Sequence, residues 1–327
     1  MSKNPYCFGS IFAKEMRSYL SLRESQGHQA SKDIHILRTL DQYLQSNEIA
    51  EKQLPHSIVE GWLQSLPEGM HINTKIVYIS HFTQFANYLR ILGISAFIPE
   101  RPRENRLYAP YIFSQSELVR MFAAADGRVF EKKGDKTAQL QFPLVLRMLY
   151  GCGLRVDEAL TLRTEDVDLD AGIFLIRNAK GNKDRLVPMD SSLTEICRRY
   201  AAVCRKSAAP QSLFFENRKG ERRSQAWVHS WFCWVLKKSG IEKPDLPRYN
   251  RNICPHCLRH TFAVDSFRNQ DLAGVDLYAA APLLSTYLGH TKSYGTQRYL
   301  HMTAENSTDI LNKTNNYTQG LFPEVPL

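Results

Sequence analysis

Six residues in the second half of the chain point to one chemistry: Arg155, Lys180, His256, Arg259, His290 and Tyr299. Two guanidiniums and a lysine supply positive charge, two imidazoles can pass protons, and the phenol is a nucleophile. The set contains no carboxylate base and no plausible metal cage. Such a group serves attack on a phosphodiester by a phenolic oxygen, with fixed cations neutralising a phosphorane-like transition state. Convergence of the six in space would allow DNA to be cut and rejoined through a covalent phosphotyrosine.

The residues around each of the six narrow the reading. Arg155 sits in Gly151-Cys152-Gly153-Leu154-Arg155-Val156-Asp157-Glu158. A nucleotide-binding glycine loop would need a third glycine and a preceding strand, and neither is present. The two glycines instead let one helix end and turn, presenting Arg155 at the start of the next. In Cys254-Pro255-His256-Cys257-Leu258-Arg259-His260 the proline suits a first helical turn, and His256 and Arg259 fall at i and i+3. Tyr287-Leu288-Gly289-His290 follows, with Tyr299 nine residues after His290.

Several elements must position these groups. Ile11, Phe12, Met16, Tyr19 and Leu20 mark one helix; Leu37, Leu40 and Leu44, widened by Ile34 and Tyr43, mark a second. Ile58, Val59, Trp62 and Leu63 give a short third, and Ile76, Ile79, Phe82, Phe85 and Leu89 a fourth. A stretch rich in proline and arginine, from Ile98 to Pro110, reads as a linker carrying Arg101, Arg103 and Arg106. Beyond it, Ser114 to Glu117 has the form of a capping box, and Leu144, Leu146, Met148 and Leu149 belong to a helix ending near Gly151 or Gly153. Gly172 to Arg177 and Arg185 to Pro188 read as a hairpin with Lys180 in its turn. The expected fold is therefore mainly α with a small β-sheet, divided into residues 1–105 and 106–327.

These words resemble the tyrosine recombinase (phage integrase) family, including Xer-type and transposon-borne integrases. That family's pattern is Gly-Leu-Arg-x-x-Glu, a hairpin lysine, His-x-x-Arg-His, Leu-Gly-His and a tyrosine nine residues on, and residues 111–301 match it in order. The resemblance implies a helical core-binding domain before an α+β catalytic domain. It further implies that Tyr299 attacks the scissile phosphate, leaving a 3′-phosphotyrosyl bond and a free 5′-hydroxyl, with no ATP and no cofactor. Arg155 and Arg259 would hold the non-bridging oxygens. Lys180, with Lys183 as its rival, would protonate the leaving oxygen. His256 would assist proton transfer from Tyr299, His290 would hydrogen-bond the phosphate or brace the site, and Glu158 would orient the site. The implied partners are double-stranded DNA at specific recombination sites and further copies of the chain, a dimer per site and a tetramer in synapse. The family couples its subunits through a C-terminal segment, here ending in Leu321, Phe322, Val325 and Leu327.

Bulk properties agree. The 327 residues suit two domains, and 43% hydrophobic with 23% charged content suits an ordinary globular core. A net charge of +9 favours a polyanionic partner. No apolar run is long enough for a membrane span, and the first ten residues lack the pattern of a secretory signal, so a cytoplasmic location is expected. The run Arg218-Lys219-Gly220-Glu221-Arg222-Arg223 offers Arg222 and Arg223 as DNA-backbone contacts, before a helix whose Trp227, Trp231 and Trp234 read as packing. Asp271 to Ser285 exceeds what a minimal Xer-type protein needs and favours a role in mobile-element movement.

Four other readings compete. Cys254-Pro255-His256-Cys257 has the form of a thiol–disulfide oxidoreductase motif, though no βαβ pattern precedes it. The same cysteines with His256 or His260 could begin a zinc site, but no second pair completes it. A DNA-binding protein without chemistry would not need all six residues. A type IB topoisomerase shares the chemistry, but the Leu-Gly-His word favours a recombinase.

Overall fold

The computed structural model describes residues 7–28, 30–103, 110–127, 135–179, 183–243, 252–290, 296, 299 and 300. The chain divides into two compact units, with the described residues up to 103 in one and those from 110 onward in the other.

The first unit contains α1 (Ala13–Ser25), α2 (Ser31–Ser46), α3 (His56–Ser65) and α4 (Ile72–Ile91). Its core is the set of apolar stripes expected from the periodicity: Phe12, Met16, Tyr19 and Leu20; Leu37, Leu40 and Leu44; Val59 and Trp62; Phe82, Phe85 and Leu89. Burying one such side chain contributes about 1.5–3 kcal/mol, which is why these faces turn inward. Ile11 departs from the expectation: it precedes α1 and is exposed. The most buried charge among the described residues of this unit is Asp33, which takes a 2.6 Å contact from His81 and a 3.5 Å ion pair from Arg23.

The second unit begins with α5 (Gln115–Asp126), α6 (Lys136–Gly151) and α7 (Val156–Thr161). The capping box at α5 is present: the Ser114 hydroxyl accepts from the Glu117 amide, and Glu117 Oε2 accepts from the Ser114 amide at 2.8 Å. After α6 the chain turns at Gly153, whose φ of +58° favours glycine. A Cβ there would also lie 2.6 Å from Phe262 and 2.9 Å from Leu288. The turn delivers Arg155 as the N-cap of α7, as the two glycines led one to expect.

Three antiparallel strands follow in the order β1 (Val167–Asp168), β2 (Ile173–Ala179), β3 (Lys183–Pro188). Phe174 pairs with Val187, Leu175 with Leu186 and Ile176 with Arg185. The turn bearing Lys180 lies outside the described residues. The unit is completed by α8 (Ser191–Cys204), α9 (Gln225–Lys238), α10 (His256–Leu272) and α11 (Leu277–Leu288). Trp231 of α9 is buried against Phe142, and Trp227 and Trp234 pack at the edge of the same core. The long Asp271–Ser285 segment forms the end of α10 and most of α11. Those two helices share a core of Ala263, Val264, Phe267, Ala280, Leu284 and Leu288 that also encloses Tyr299.

Candidate active site

Three arginines from three elements meet at the C-terminal end of α11. The final carbonyls of a helix have no intrahelical partners and carry the negative end of its dipole, so cations are stabilised there. Arg185 Nε donates to the Tyr287 carbonyl at 2.9 Å, Arg259 Nη2 to that of Leu288 at 2.6 Å, and Arg155 Nη2 to that of Gly289 at 3.2 Å. Three successive carbonyls are thus each taken by a different guanidinium. Gly289 ends the helix with φ +66°, and a Cβ on it would crowd the Arg185 guanidinium at 3.0–3.2 Å.

Among the described residues, one carboxylate serves this cluster. Glu158 is buried and accepts from Arg155 Nη1 at 2.6 Å and the Arg155 amide at 2.9 Å. It also accepts from Arg185 Nη1 at 2.9 Å and Nη2 at 2.8 Å, while Arg259 Nη1 lies 3.9 Å away. Burial alone would raise its carboxyl, but the hydrogen bonds and charges of Arg185 and Arg155 hold it down at about 2. Arg259 is 1% exposed, and burial together with the charge of Arg155 lowers its guanidinium to about 10. Three guanidiniums against one carboxylate leave local positive charge, the condition for binding an anion.

Tyr299 is 3% exposed, and its hydroxyl lies 2.7 Å from Nδ1 of His260. His256, the first residue of α10, is exposed and stands edge-on to His260 with ring centroids 4.6 Å apart. The histidine bonded to the tyrosine hydroxyl is therefore His260, which sequence reasoning did not single out although it closes the His-x-x-Arg-His word. His290 stacks on Tyr299 at 6.2 Å and bonds Thr296 Oγ1 through Nδ1 at 2.8 Å. Burial, then the charges of Arg259 and Arg155, lower the His290 imidazole to about 4, so it is neutral at pH 7.

Of the residues expected from sequence, Arg155, Glu158, His256, Arg259, His290 and Tyr299 surround this one corner of the second unit. Lys180 lies outside the described residues; Lys183 opens β3 and is exposed. Arg185 was missed. Its one sequence signal is strand alternation: it shares the inward register with buried Val187, whereas Leu186 between them faces outward.

The expected DNA contacts fare differently. Arg101 and Arg103 are exposed, and Arg106 is outside the described residues. Arg222 pairs with Asp157. Arg223 corrects the expectation: it is 7% exposed, bonds Asp135 at 2.7 Å, Gln141 at 2.8 Å and Thr137 at 3.0 Å, and lies over the Trp227 ring. Its charge is committed to the core of its own unit. Cys254 and Cys257 are free thiols with sulfurs 3.9 Å apart. The hydrogen bond with Cys254 and burial push the Cys257 thiol up. Among the described residues, no three His, Cys, Asp or Glu side chains gather as metal ligands.

Comparison with known proteins shows the family of the chain. The model of the phage integrase family matches residues 112–306. A tyrosine recombinase of Pseudothermotoga lettingae is 29% identical over 282 residues, covering 83% of this chain and 86% of that protein. Two solved structures share the fold. The XerH site-specific recombinase bound to palindromic difH substrate in a post-cleavage complex has a TM-score of 0.65, with 17% identity, over 88% of this chain and 79% of that one. The Tn1549 transposon integrase with circular-intermediate DNA has a TM-score of 0.62, with 16% identity, over 93% and 98%.

Proposed function

The chain belongs to the phage integrase family of tyrosine recombinases, and we propose that it cuts and rejoins duplex DNA at specific sites through a bond between Tyr299 and the 3′-phosphate. The observation that carries this reading is the pairing of an arginine cluster of net positive charge with a tyrosine stacked on the neutral His290 beside it. Arg155 and Arg259 take the two non-bridging oxygens, and Glu158 holds the Arg155 fork in its plane. His290, kept neutral by burial and by the surrounding guanidiniums, donates to or accepts from the phosphate without adding charge. His256 and His260 draw the proton from the Tyr299 hydroxyl. Lys180, brought by the hairpin, protonates the departing 5′-oxygen. Each exchange replaces one phosphodiester by another of similar energy, so rejoining needs no external source of energy.

The helical first unit serves as a second DNA-binding element. Strand exchange between two duplexes requires four active sites, and we assign the chain a dimer on each site and a tetramer in synapse. The C-terminal segment expected to couple the subunits lies outside the described residues. No helix among the described residues is long and apolar enough to cross a membrane, and we place the activity in the cytoplasm. The likeness to a transposon integrase fold and the length of the α10–α11 segment support a role in moving a DNA element.

Trapping tests the reading. The wild-type protein is incubated with a random-sequence library of nicked duplexes, and covalent adducts are recovered and sequenced. One preferred site should emerge, adduct formation should persist in excess EDTA, and Tyr299→Phe should bind that site yet form no adduct. An undiminished adduct in Tyr299→Phe would move the nucleophile elsewhere, with Tyr294 the first alternative.

A further inference from the structure

The six expected residues leave out the arginine whose guanidinium makes the most hydrogen bonds at the site among the described residues. Arg185 is 9% exposed and directs its guanidinium at three acceptors: both oxygens of Glu158 and the carbonyl of Tyr287. A fork bound in this bidentate way is fixed in plane and direction. Arg155, 24% exposed, and Arg259 also place both terminal nitrogens on protein acceptors, Glu158 and Gly289 for the first, Gly153 and Leu288 for the second. What sets Arg185 apart is that both of its terminal nitrogens grip the one carboxylate while its Nε holds a helix-end carbonyl.

Two consequences follow from that placement. Glu158 holds Arg155 through Nη1, and Arg185 holds Glu158, so the aim of Arg155 depends on Arg185 at one remove. The carbonyl of Tyr287 lies three residues before His290, so the same guanidinium also anchors the end of α11 from which His290 departs. The close approach of Arg185 to Gly289, where no Cβ fits without displacement, shows how tightly the strand and helix end are joined.

We propose that Arg185 is a positioning residue for the strand-cleavage step: it sets the direction of Arg155 through Glu158 and fixes the helix end that presents His290. The proposal rests on the recombinase reading above. Its action is on the transition state, since phosphate charge is met by Arg155 and Arg259, and ground-state binding is distributed along the duplex. A misplacement of about 1 Å in such a group can cost on the order of 10²-fold in rate.

The experiment uses the full-length protein and a nicked suicide duplex carrying the site recovered by trapping, and it measures both DNA affinity and the single-turnover rate of adduct formation. Arg185→Met should slow adduct formation on the order of 10²-fold while leaving affinity within roughly threefold. Arg185→Lys keeps a positive charge beside Glu158 but lacks the fork. It should remain folded even where Arg185→Met does not, and should still be slowed at least about 10-fold. The decisive measurement is the double mutant. If Arg185 acts in part through Arg155, adding Arg185→Met or Arg185→Lys to Arg155→Met should cost clearly less than the same change costs in the wild-type background, the remainder being the His290 arm. Wild-type rates in both Arg185 variants would overturn the proposal. So would a loss that multiplies in full onto Arg155→Met, which would mark Arg185 as an independent phosphate ligand or a purely structural group. Failure of the wild-type protein to form any adduct would instead overturn the recombinase reading itself.

Discussion

Arg259 and Arg223 are both buried arginines of the same unit, 1% and 7% exposed, and they are held in opposite ways. Arg223 has its own carboxylate, Asp135 at 2.7 Å, with Gln141 and Thr137 completing its hydrogen bonds. Its charge is cancelled where it lies. Arg259 is bonded to two backbone carbonyls, those of Gly153 and Leu288, each at 2.6 Å. Its one carboxylate contact among the described residues is Glu158 at 3.9 Å, and that group is already shared by Arg155 and Arg185. Burying a guanidinium without a dedicated counter-ion is costly. The fold accepts that cost at Arg259 through helix-end carbonyls and leaves the remaining charge for an anion. Burial thus fails to separate structural from catalytic arginines; the identity of the counter-charge separates them.

The sharpest way to break this comparison is to remove each charge in turn. Arg259→Met should reduce the rate of adduct formation by about 3–4 kcal/mol, between 10²- and 10³-fold, as loss of a preorganised transition-state contact does. Arg223→Met, measured on folded protein at low temperature, should cleave at close to the wild-type rate. Equal losses in the two variants would erase the distinction drawn from their counter-ions.

What could be read from the sequence follows the same division. Local signals were sufficient for the apolar stripes of α1 to α4, the capping box at Ser114 and the glycine turn before Arg155, because each depends on residues within one or two turns of helix. The family words located Arg155, Arg259, His290 and Tyr299 for the same reason. Pairings between distant segments were not legible. The basic run containing Arg223 read as a DNA surface because its partner Asp135 caps a helix much earlier in the chain. Arg185 bonds Glu158 on α7 and Tyr287 on α11, and no spacing within β3 encodes either contact. His260 was visible in its word, but only packing of Tyr299 beneath α10 brought it, rather than His256, to the hydroxyl.

Stability should divide the two arginines in the reverse sense. Arg223→Met leaves Asp135, which is 23% exposed and keeps access to water, without its main partner. It should lower unfolding free energy by about 1–3 kcal/mol. Burial raises the Asp135 carboxyl, but Arg223 and Thr137 outweigh it and hold the group down at about 2, below its ordinary value of 3.8. A depressed carboxylate stabilises the folded state fully above its unfolded value, and that contribution is lost as pH falls toward 2. Thermal melts between pH 5 and pH 2 should therefore show a smaller acid-induced decline in Arg223→Met than in wild type.

Surface arginines provide a third comparison. Arg101, Arg103 and Arg222 are all exposed, Arg222 in a pair with Asp157, and Arg223 is buried. If the first pair meets phosphates, Arg101→Ala with Arg103→Ala should reduce the slope of log affinity against log salt by about 2, each contact contributing roughly 0.9. Arg222→Ala should leave that slope near its wild-type value. Filter-binding measurements across a salt series on the trapped site would detect both, and an unchanged slope in the first variant would remove residues 101–103 from the interface.

The smallest effect lies at His290 and depends directly on the uncancelled charge around Arg259. Burial, then Arg259 and Arg155, depress the imidazole to about 4 from an ordinary 6.5. Below pH 6.5 the unfolded chain takes up a proton that the folded site refuses, so this residue's contribution to stability falls as pH drops from 6.5 toward 4 and is constant above 6.5. His290→Asn should remove that part of the pH dependence. Bound DNA changes the sign of the local field: a phosphate between Arg155 and Arg259 opposes the guanidinium charge and should raise the His290 value above that of the free protein. Proton NMR of the ring resonance, assigned by its loss in His290→Asn, would follow both states. A free-protein titration near 6.5 would mean that the arginine charge is already neutralised without DNA, as it is at Arg223, and the contrast between the two arginines would fail.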